Sequence, residues 1–172
     1  PIGYLFAAIA RNAATKVVQT EIDPFRLTVA KKFGHPILNP DECDLEAEVL
    51  KITNGKKFDI VIDAIGTQLA NAIKYVTPGG KVLAFGMDSS IDVTIKPYDI
   101  TRNAIKVLGS YIGQNTMVPA IDMLDSKQLE MDNFFSETIS LKDGPEAFSK
   151  LGLDLENMDH CAKSAMKIVM IP

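Results

Sequence analysis

Between residues 16 and 112 five short apolar runs alternate with helical patterns, and that rhythm narrows the fold more than any other feature of the chain. The runs are Lys16–Glu21, Pro36–Asn39, Phe58–Ala64, Lys81–Gly86 and Ala104–Ile112. Strands separated by helices of ~10 residues do not close as hairpins; they form parallel βαβ units in a doubly wound α/β sheet. Phe58–Ala64 (Phe-Asp-Ile-Val-Ile-Asp-Ala) is the strongest run and is predicted to be buried on both faces.

The intervening segments carry start and stop signals. Ile2, Leu5, Phe6 and Ile9 share one helical face within Ile2–Ala14. Asp23-Pro24 supplies a cap and a first-turn proline for a helix through Lys32, stopped by Gly34. Asp44–Thr53 is helical, with Leu45, Val49, Leu50 and Ile52 as its stripe and Gly55 after its end. A helix from Gln68 to Val76 leads into Thr77-Pro78-Gly79-Gly80, predicted to be a sharp turn, and a polar connection containing Pro97 precedes the last run. After Gly113 the rhythm stops. Thr116 caps a helix to about Ser126 with Pro119 in its first turn. A strand near Glu137–Leu141, a short helix near Pro145–Leu151, an acidic loop and a final strand, Ala165–Ile171, complete the chain.

Composition excludes several classes. With 172 residues, 47% of them hydrophobic, the chain can bury one substantial core and a small lobe. Its 18 basic and 22 acidic side chains give a net charge of −4, and no basic stripe exists to neutralise a phosphate backbone, so nucleic acid is not an expected partner. No apolar run approaches the ~20 residues that cross a bilayer. The two cysteines, Cys43 and Cys161, lack partner spacing, and a reduced, cytoplasmic chain is the simplest reading.

One spacing points to chemistry. Gly3, one helix, one strand and then Glu21 form the second half of a dinucleotide-binding βαβ unit. A carboxylate at that strand end accepts both ribose hydroxyls of NAD and repels the extra phosphate of NADP; the alternative is an ordinary exposed acid. Arg26, one turn into the next helix, could lie over the adenosine or be solvated. Gly66 and Gly86, just past strand ends, leave room for a ligand across the carboxyl edge, or serve as tight turns. Other candidates are structural by default. His160-Cys161 beside Asp159 is contiguous rather than at zinc-ligand spacing. Asp154, Glu156 and Asp159 lack the central glycine of a calcium loop. His35 follows Gly34 in a helix-to-strand turn, and no Ser or Cys sits in a nucleophile elbow. No catalytic residue and no metal ligand is therefore assigned to this chain.

Taken in order, Pro1-Ile2-Gly3, Val17–Asp23, Phe58–Gly66, Thr77–Val82 and Leu108-Gly109-Ser110 resemble the zinc-dependent alcohol dehydrogenases, the medium-chain dehydrogenase/reductases, and within them the sorbitol-type and threonine dehydrogenases. The likeness runs through essentially the whole chain. It implies that Gly3 is the last glycine of the pyrophosphate turn, its two partners falling before Pro1, and that Glu21 and Arg26 hold the adenosine ribose. Ala64, Ile65 and Gly66 would line the adenosine side, and Phe85 and Gly86 the nicotinamide ribose. Ser110 and Ile112 would reach the carboxamide through their backbone. It further implies hydride transfer between NAD and a small secondary alcohol or polyol, and a homodimer or homotetramer paired along the Ala104–Ile112 edge. Residues 1–113 would be an amino-terminally truncated NAD-binding Rossmann domain. Residues 114–172 would pack toward a catalytic domain that carries the zinc ligands upstream and is absent here.

Two rival readings remain. An S-adenosylmethionine methyltransferase also uses a glycine turn, an acid after the second strand and Pro-Gly-Gly before the fifth, but normally ends on an antiparallel strand. A stand-alone dinucleotide-binding remnant would explain the lack of catalytic machinery. In a doubly wound sheet the first strand is central, and without it Lys16–Glu21 and Phe58–Ala64 would expose unpaired edges. Truncation or omission of that strand is the expectation, and direct pairing of those two strands would contradict it.

Overall fold

A computed structural model describes residues 1–13, 16–129, 131–155, 159–160 and 162–172. In chain order its elements are α1 (Ile2–Asn12), β1 (Gln19–Thr20), α2 (Pro24–Ala30), β2 (Ile37–Leu38), α3 (Leu45–Ile52), β3 (Phe58–Asp63), α4 (Leu69–Tyr75) and β4 (Val76–Ala84). They continue with α5 (Pro97–Arg102), β5 (Lys106–Gly109), α6 (Met117–Asp125), β6 (Glu137–Ser140), α7 (Gly144–Lys150), β7 (Leu153–Asp154), β8 (Asp159–His160) and β9 (Ile168–Ile171). The expected α/β architecture with parallel pairing is present. The chain divides into two compact units, one formed by Pro1–Glu42 with Val118–Pro172 and the other by Cys43–Met117.

In the first unit β1 pairs with β2 in parallel, Gln19 opposite Ile37 and Thr20 opposite Leu38. The capping signals act as expected. Asp23 caps α2 by accepting from the Arg26 backbone N–H at 2.9 Å, Pro24 follows it, and after a 3₁₀ turn at Lys31–Phe33 Gly34 reverses the chain at φ +69°. Tyr4 from α1 and Val29, Ala30 and Phe33 from the α2 region form a core with Phe134 and Met166. The Tyr4 and Phe33 rings lie 5.0 Å apart at 51°, a tilted arrangement that aromatic quadrupoles favour. Tyr4 is 2% exposed, and its hydroxyl donates to the Arg26 carbonyl at 2.8 Å. Burial, reinforced by the nearby Glu21 charge, pushes this phenol well above its ordinary value, so it stays a donor across the working pH range. In the same unit β6 and β9 pair in parallel, fastened by Ser136: its backbone N–H donates to the Lys167 carbonyl at 2.8 Å and its Oγ accepts from the Met166 N–H at 2.7 Å. β7 and β8 form a small antiparallel pair.

The second unit holds a three-stranded parallel sheet of order β3-β4-β5. Ala72 and Ile73 of α4 pack on Val76, Val82 and Ile105. Three expectations change here. β3 is not buried on both faces: it is an end strand of this sheet, and Asp59 and Ile60 face solvent, Ile60 at 58%. Thr77–Gly80 is not a turn ahead of a strand but an excursion within β4. Phe58 pairs with Val76 and Ile60 with Lys81, so four residues of β4 oppose one of β3, and Gly79 at φ +78° donates to the Asn103 carbonyl at 2.7 Å. The polar connection at Pro97 contains α5, started by that proline. β1 and β3 belong to different sheets.

Candidate functional site

The expected site residues fall into two groups, one in each unit. In the first, Glu21 directly follows β1 and continues its ladder, its N–H donating to the Leu38 carbonyl at 3.1 Å. Glu21 Oε1 accepts from the backbone N–H groups of Ile22 and Asp23, each at 3.0 Å, which holds the carboxylate over the β1–α2 turn. Glu21 Oε2 lies 3.1 Å from Arg26 Nε. That contact is an ion pair without hydrogen-bond alignment, so the buried Nε has no hydrogen-bond partner among the described residues. Glu21 Oε1 is thus held by the backbone and Oε2 by the ion pair with Arg26. A carboxylate paired with a guanidinium at a strand end supplies the acceptor and donor types that suit a vicinal diol, which both donates and accepts. Gly3 lies inside the first turn of α1 rather than in a turn before it. A Cβ there would meet nothing closer than Gln19 Nε2 at 3.7 Å.

Asp23 completes this group. Its Oδ1 caps α2, and its Oδ2 accepts from Lys163 Nζ at 3.0 Å. Burial pushes the Asp23 carboxyl up, but the Arg26 N–H, the Lys163 hydrogen bond and the two cationic charges outweigh it and hold it below its ordinary 3.8. A carboxyl depressed in the folded state contributes stability above its unfolded value and loses it as pH falls through the folded one. Acid titration of the folded protein followed by tryptophan-free near-ultraviolet dichroism should therefore show Asp23→Asn less sensitive than the parent below about pH 4.

The second group sits at the carboxyl ends of β3 and β4, and a residue missed in the sequence organises it. Asp63, the last residue of β3, is 3% exposed. Its Oδ1 accepts from the N–H groups of Ile65 at 3.0 Å and Gly66 at 2.8 Å, and its Oδ2 from Gln68 at 2.9 Å. Its carbonyl accepts from Phe85 at 3.0 Å and Gly86 at 2.9 Å. Five backbone donors thus converge on one residue and fix both strand-to-helix loops. The signal was a carboxylate ending an apolar run just before Ala-Ile-Gly, where Asp side chains hold following N–H groups. Gly66 (φ +101°) and Gly86 are in mutual contact: a Cβ on Gly86 would sit 2.0 Å from the Ile65 carbonyl carbon, and one on Gly66 2.8 Å from that of Gly86. Ala64 and Phe85 are half-buried beside them, and Ile65 is 65% exposed. Ser110 and Ile112 follow β5 and are exposed, Ile112 in the left-handed region at φ +51°. The structure brings Ile65, Gly66 and Gly86 together through Asp63.

Among the described residues no group of three or more His, Cys, Asp or Glu side chains could hold a metal ion. Glu156 and Cys161 lie outside the described residues, and His160 belongs to β8. His35 is structural: its Nε2 is 3.1 Å from Gln19 Oε1, beside the Gly34 reversal. Among the described residues no helix is long and apolar enough to cross a membrane.

Comparison with known proteins agrees with this architecture. The family model described as zinc-binding dehydrogenase matches residues 1–126. The sorbitol dehydrogenase of Bacillus subtilis (strain 168) is 28% identical over 167 residues, covering 95% of this chain and 46% of that protein. A putative zinc-binding dehydrogenase of Sinorhizobium meliloti 1021, solved bound to NADP, superposes with a TM-score of 0.81 at 25% identity, over 98% of this chain and 48% of that one. A protein of E. coli CFT073 described as a short chain alcohol dehydrogenase, solved with NADH, superposes with a TM-score of 0.84 at 20% identity over 100% of this chain and 50% of that one. The chain thus spans about half the length of the relatives it matches. With a matching profile over most of its length and a Rossmann-type fold shared with alcohol dehydrogenases, this chain belongs to the zinc-dependent alcohol dehydrogenase family.

Proposed function

We propose that the chain is the cofactor-binding portion of an NAD-dependent, zinc-type alcohol or polyol dehydrogenase, which moves a hydride between a secondary alcohol and NAD. The observation that carries this reading is Glu21, a strand-end carboxylate whose Oε1 is tied to the backbone while Oε2 is paired with Arg26. Glu21 and Arg26 hold the adenosine ribose, and Gly3 lets α1 begin close to the pyrophosphate. Ala64, Ile65 and Gly66 line the adenosine side, Phe85 and Gly86 the nicotinamide ribose, and Ser110 and Ile112 offer backbone groups to the carboxamide. Zinc, when bound, polarises the substrate oxygen. The described residues do not fit it, and zinc is assigned to residues outside this chain. Residues 1–113 carry the cofactor, and 114–172 contribute toward a catalytic domain. A homodimer or homotetramer is proposed along β5, an end strand of its sheet with Val107 and Leu108 exposed. The two cysteines without partner spacing favour the cytoplasm.

Titration with NADH and NADPH tests the reading. NADH is expected to bind more tightly, and Glu21→Ala to weaken NADH roughly ten- to a hundredfold, the range for a charge-assisted hydrogen-bond acceptor. Unchanged NADH affinity would reduce Glu21 to a surface acid. The second reading is a binding remnant without catalysis. Turnover of polyols by the native protein with NAD and zinc would exclude it. Binding of S-adenosylmethionine without NADH would favour a methyltransferase over both.

A further inference from the structure

We propose that Lys163, in the carboxyl-terminal segment, sets how strictly the ribose acid discriminates between the two nicotinamide dinucleotides. The inference rests on the assignment of Glu21 and Arg26 to the adenosine ribose. Glu21, Asp23, Arg26 and Lys163 form a chain of alternating charge within the first unit. Glu21 Oε2 contacts Arg26 Nε at 3.1 Å, Arg26 Nε is 4.0 Å from Asp23 Oδ1, and Asp23 Oδ2 meets Lys163 Nζ at 3.0 Å. Two carboxylates thus face two cations, and the group is neutral. All four side chains are at most about a third exposed: 11% for Glu21, 13% for Asp23, 23% for Arg26 and 34% for Lys163. Solvent therefore screens them incompletely.

The arrangement divides the cations between the acids. Asp23 is the nearer in sequence to Arg26 and already binds its N–H through Oδ1. With Oδ2 bound by Lys163, Asp23 meets the guanidinium only at 4.0 Å, and Arg26 stays closer to Glu21 at 3.1 Å. Lys163 thereby does two things. It keeps the diol-binding pair of Glu21 and Arg26 assembled, and it cancels one of two negative charges that would otherwise face an incoming phosphate. A 2′-phosphate carries nearly two negative charges. Its binding is therefore far more sensitive to the local charge than that of a neutral diol. Lys163 comes from 140 residues away, so the loosely patterned tail tunes the cofactor preference of the amino-terminal half.

The test is paired titration of the purified protein and its variants with NADH and NADPH, monitored by cofactor fluorescence at low and high salt. In Lys163→Gln the ratio of NADPH to NADH dissociation constants should rise roughly fivefold at low salt and less at high salt, as one unbalanced charge at partial screening requires. Lys163→Arg should restore the parent ratio. Asp23→Asn should shift the ratio in the opposite direction, because it strands a cation while Asn still caps α2. Thermal unfolding of each variant separates loss of fold from change of preference. If Lys163→Gln weakens both cofactors equally, or if the two variants move the ratio in the same direction, Lys163 only fastens the tail and the proposal is wrong. If the parent binds neither dinucleotide, the cofactor reading itself falls, and the inference with it.

Discussion

A Gly86→Ala protein is expected to melt roughly 6–12 °C below the parent, and to bind NADH at least tenfold more weakly. The added Cβ would lie 2.0 Å from the Ile65 carbonyl carbon, 2.2 Å from the Gly66 nitrogen and 2.5 Å from the Ile65 nitrogen. All three are backbone atoms, so no side chain can swing aside. Relief requires the loop after β3 to move away from the loop after β4, and that loop is pinned by Asp63. The strain therefore reaches the hydrogen bonds at the strand ends as well as the surface assigned to the cofactor. Gly109→Ala is the control, because a Cβ there meets nothing within 4 Å and its stability should change by less than about 0.5 kcal/mol. Differential scanning fluorimetry with and without NADH reads both effects. A Gly86→Ala variant as stable as Gly109→Ala would show that the two loops are not in contact.

Asp63→Asn is expected to remove about 2–4 kcal/mol of stability, more than most conservative changes. Asp63 accepts three backbone hydrogen bonds with its two carboxylate oxygens while 3% exposed. An asparagine keeps one oxygen. If it stays on Ile65 and Gly66, the new NH₂ points at the Gln68 N–H, donor against donor, in a place water does not reach. The flipped amide leaves two N–H groups unsatisfied instead. Urea unfolding should show a lower midpoint with an unchanged slope, since the surface exposed on unfolding does not change. Asp63→Ala should be worse, stranding all three donors. A parent-like midpoint for Asp63→Asn would mean that the β3–α4 loop is held by something other than this carboxylate.

Much of the fold was readable because it rests on local chemistry. Asp23-Pro24, Asp44 and Gly34 mark helix boundaries through capping and backbone freedom, and all three act where the residue types required. What escaped depends on which element neighbours which. The apolar run Phe58–Asp63 looks alike whether it lies inside a sheet or at its end, and only the strand order shows Ile60 facing water. Thr77-Pro78-Gly79-Gly80 has turn composition, yet the ladder resumes beyond it against the same partner, and that makes it a bulge. For the candidate site, Gly66, Gly86 and Glu21 were legible by type and position after strands. Asp63 was hidden because its apolar neighbours read as strand, and its role appears only when Gly66, Gln68 and Gly86 fold back onto it. Lys163 could not be paired with Asp23 across 140 residues by any local pattern.

The first unit is sewn from two distant segments: Tyr4, Val29, Ala30 and Phe33 share a core with Phe134 and Met166, while Cys43–Met117 forms a unit of contiguous chain. During synthesis the contiguous unit can therefore acquire its sheet as soon as it clears the ribosome. The core of the other cannot close until the segment bearing Phe134 and Met166 has been made. A chain stalled before Met166 should be degraded or aggregate through that half, whereas its inserted unit would already resist proteolysis.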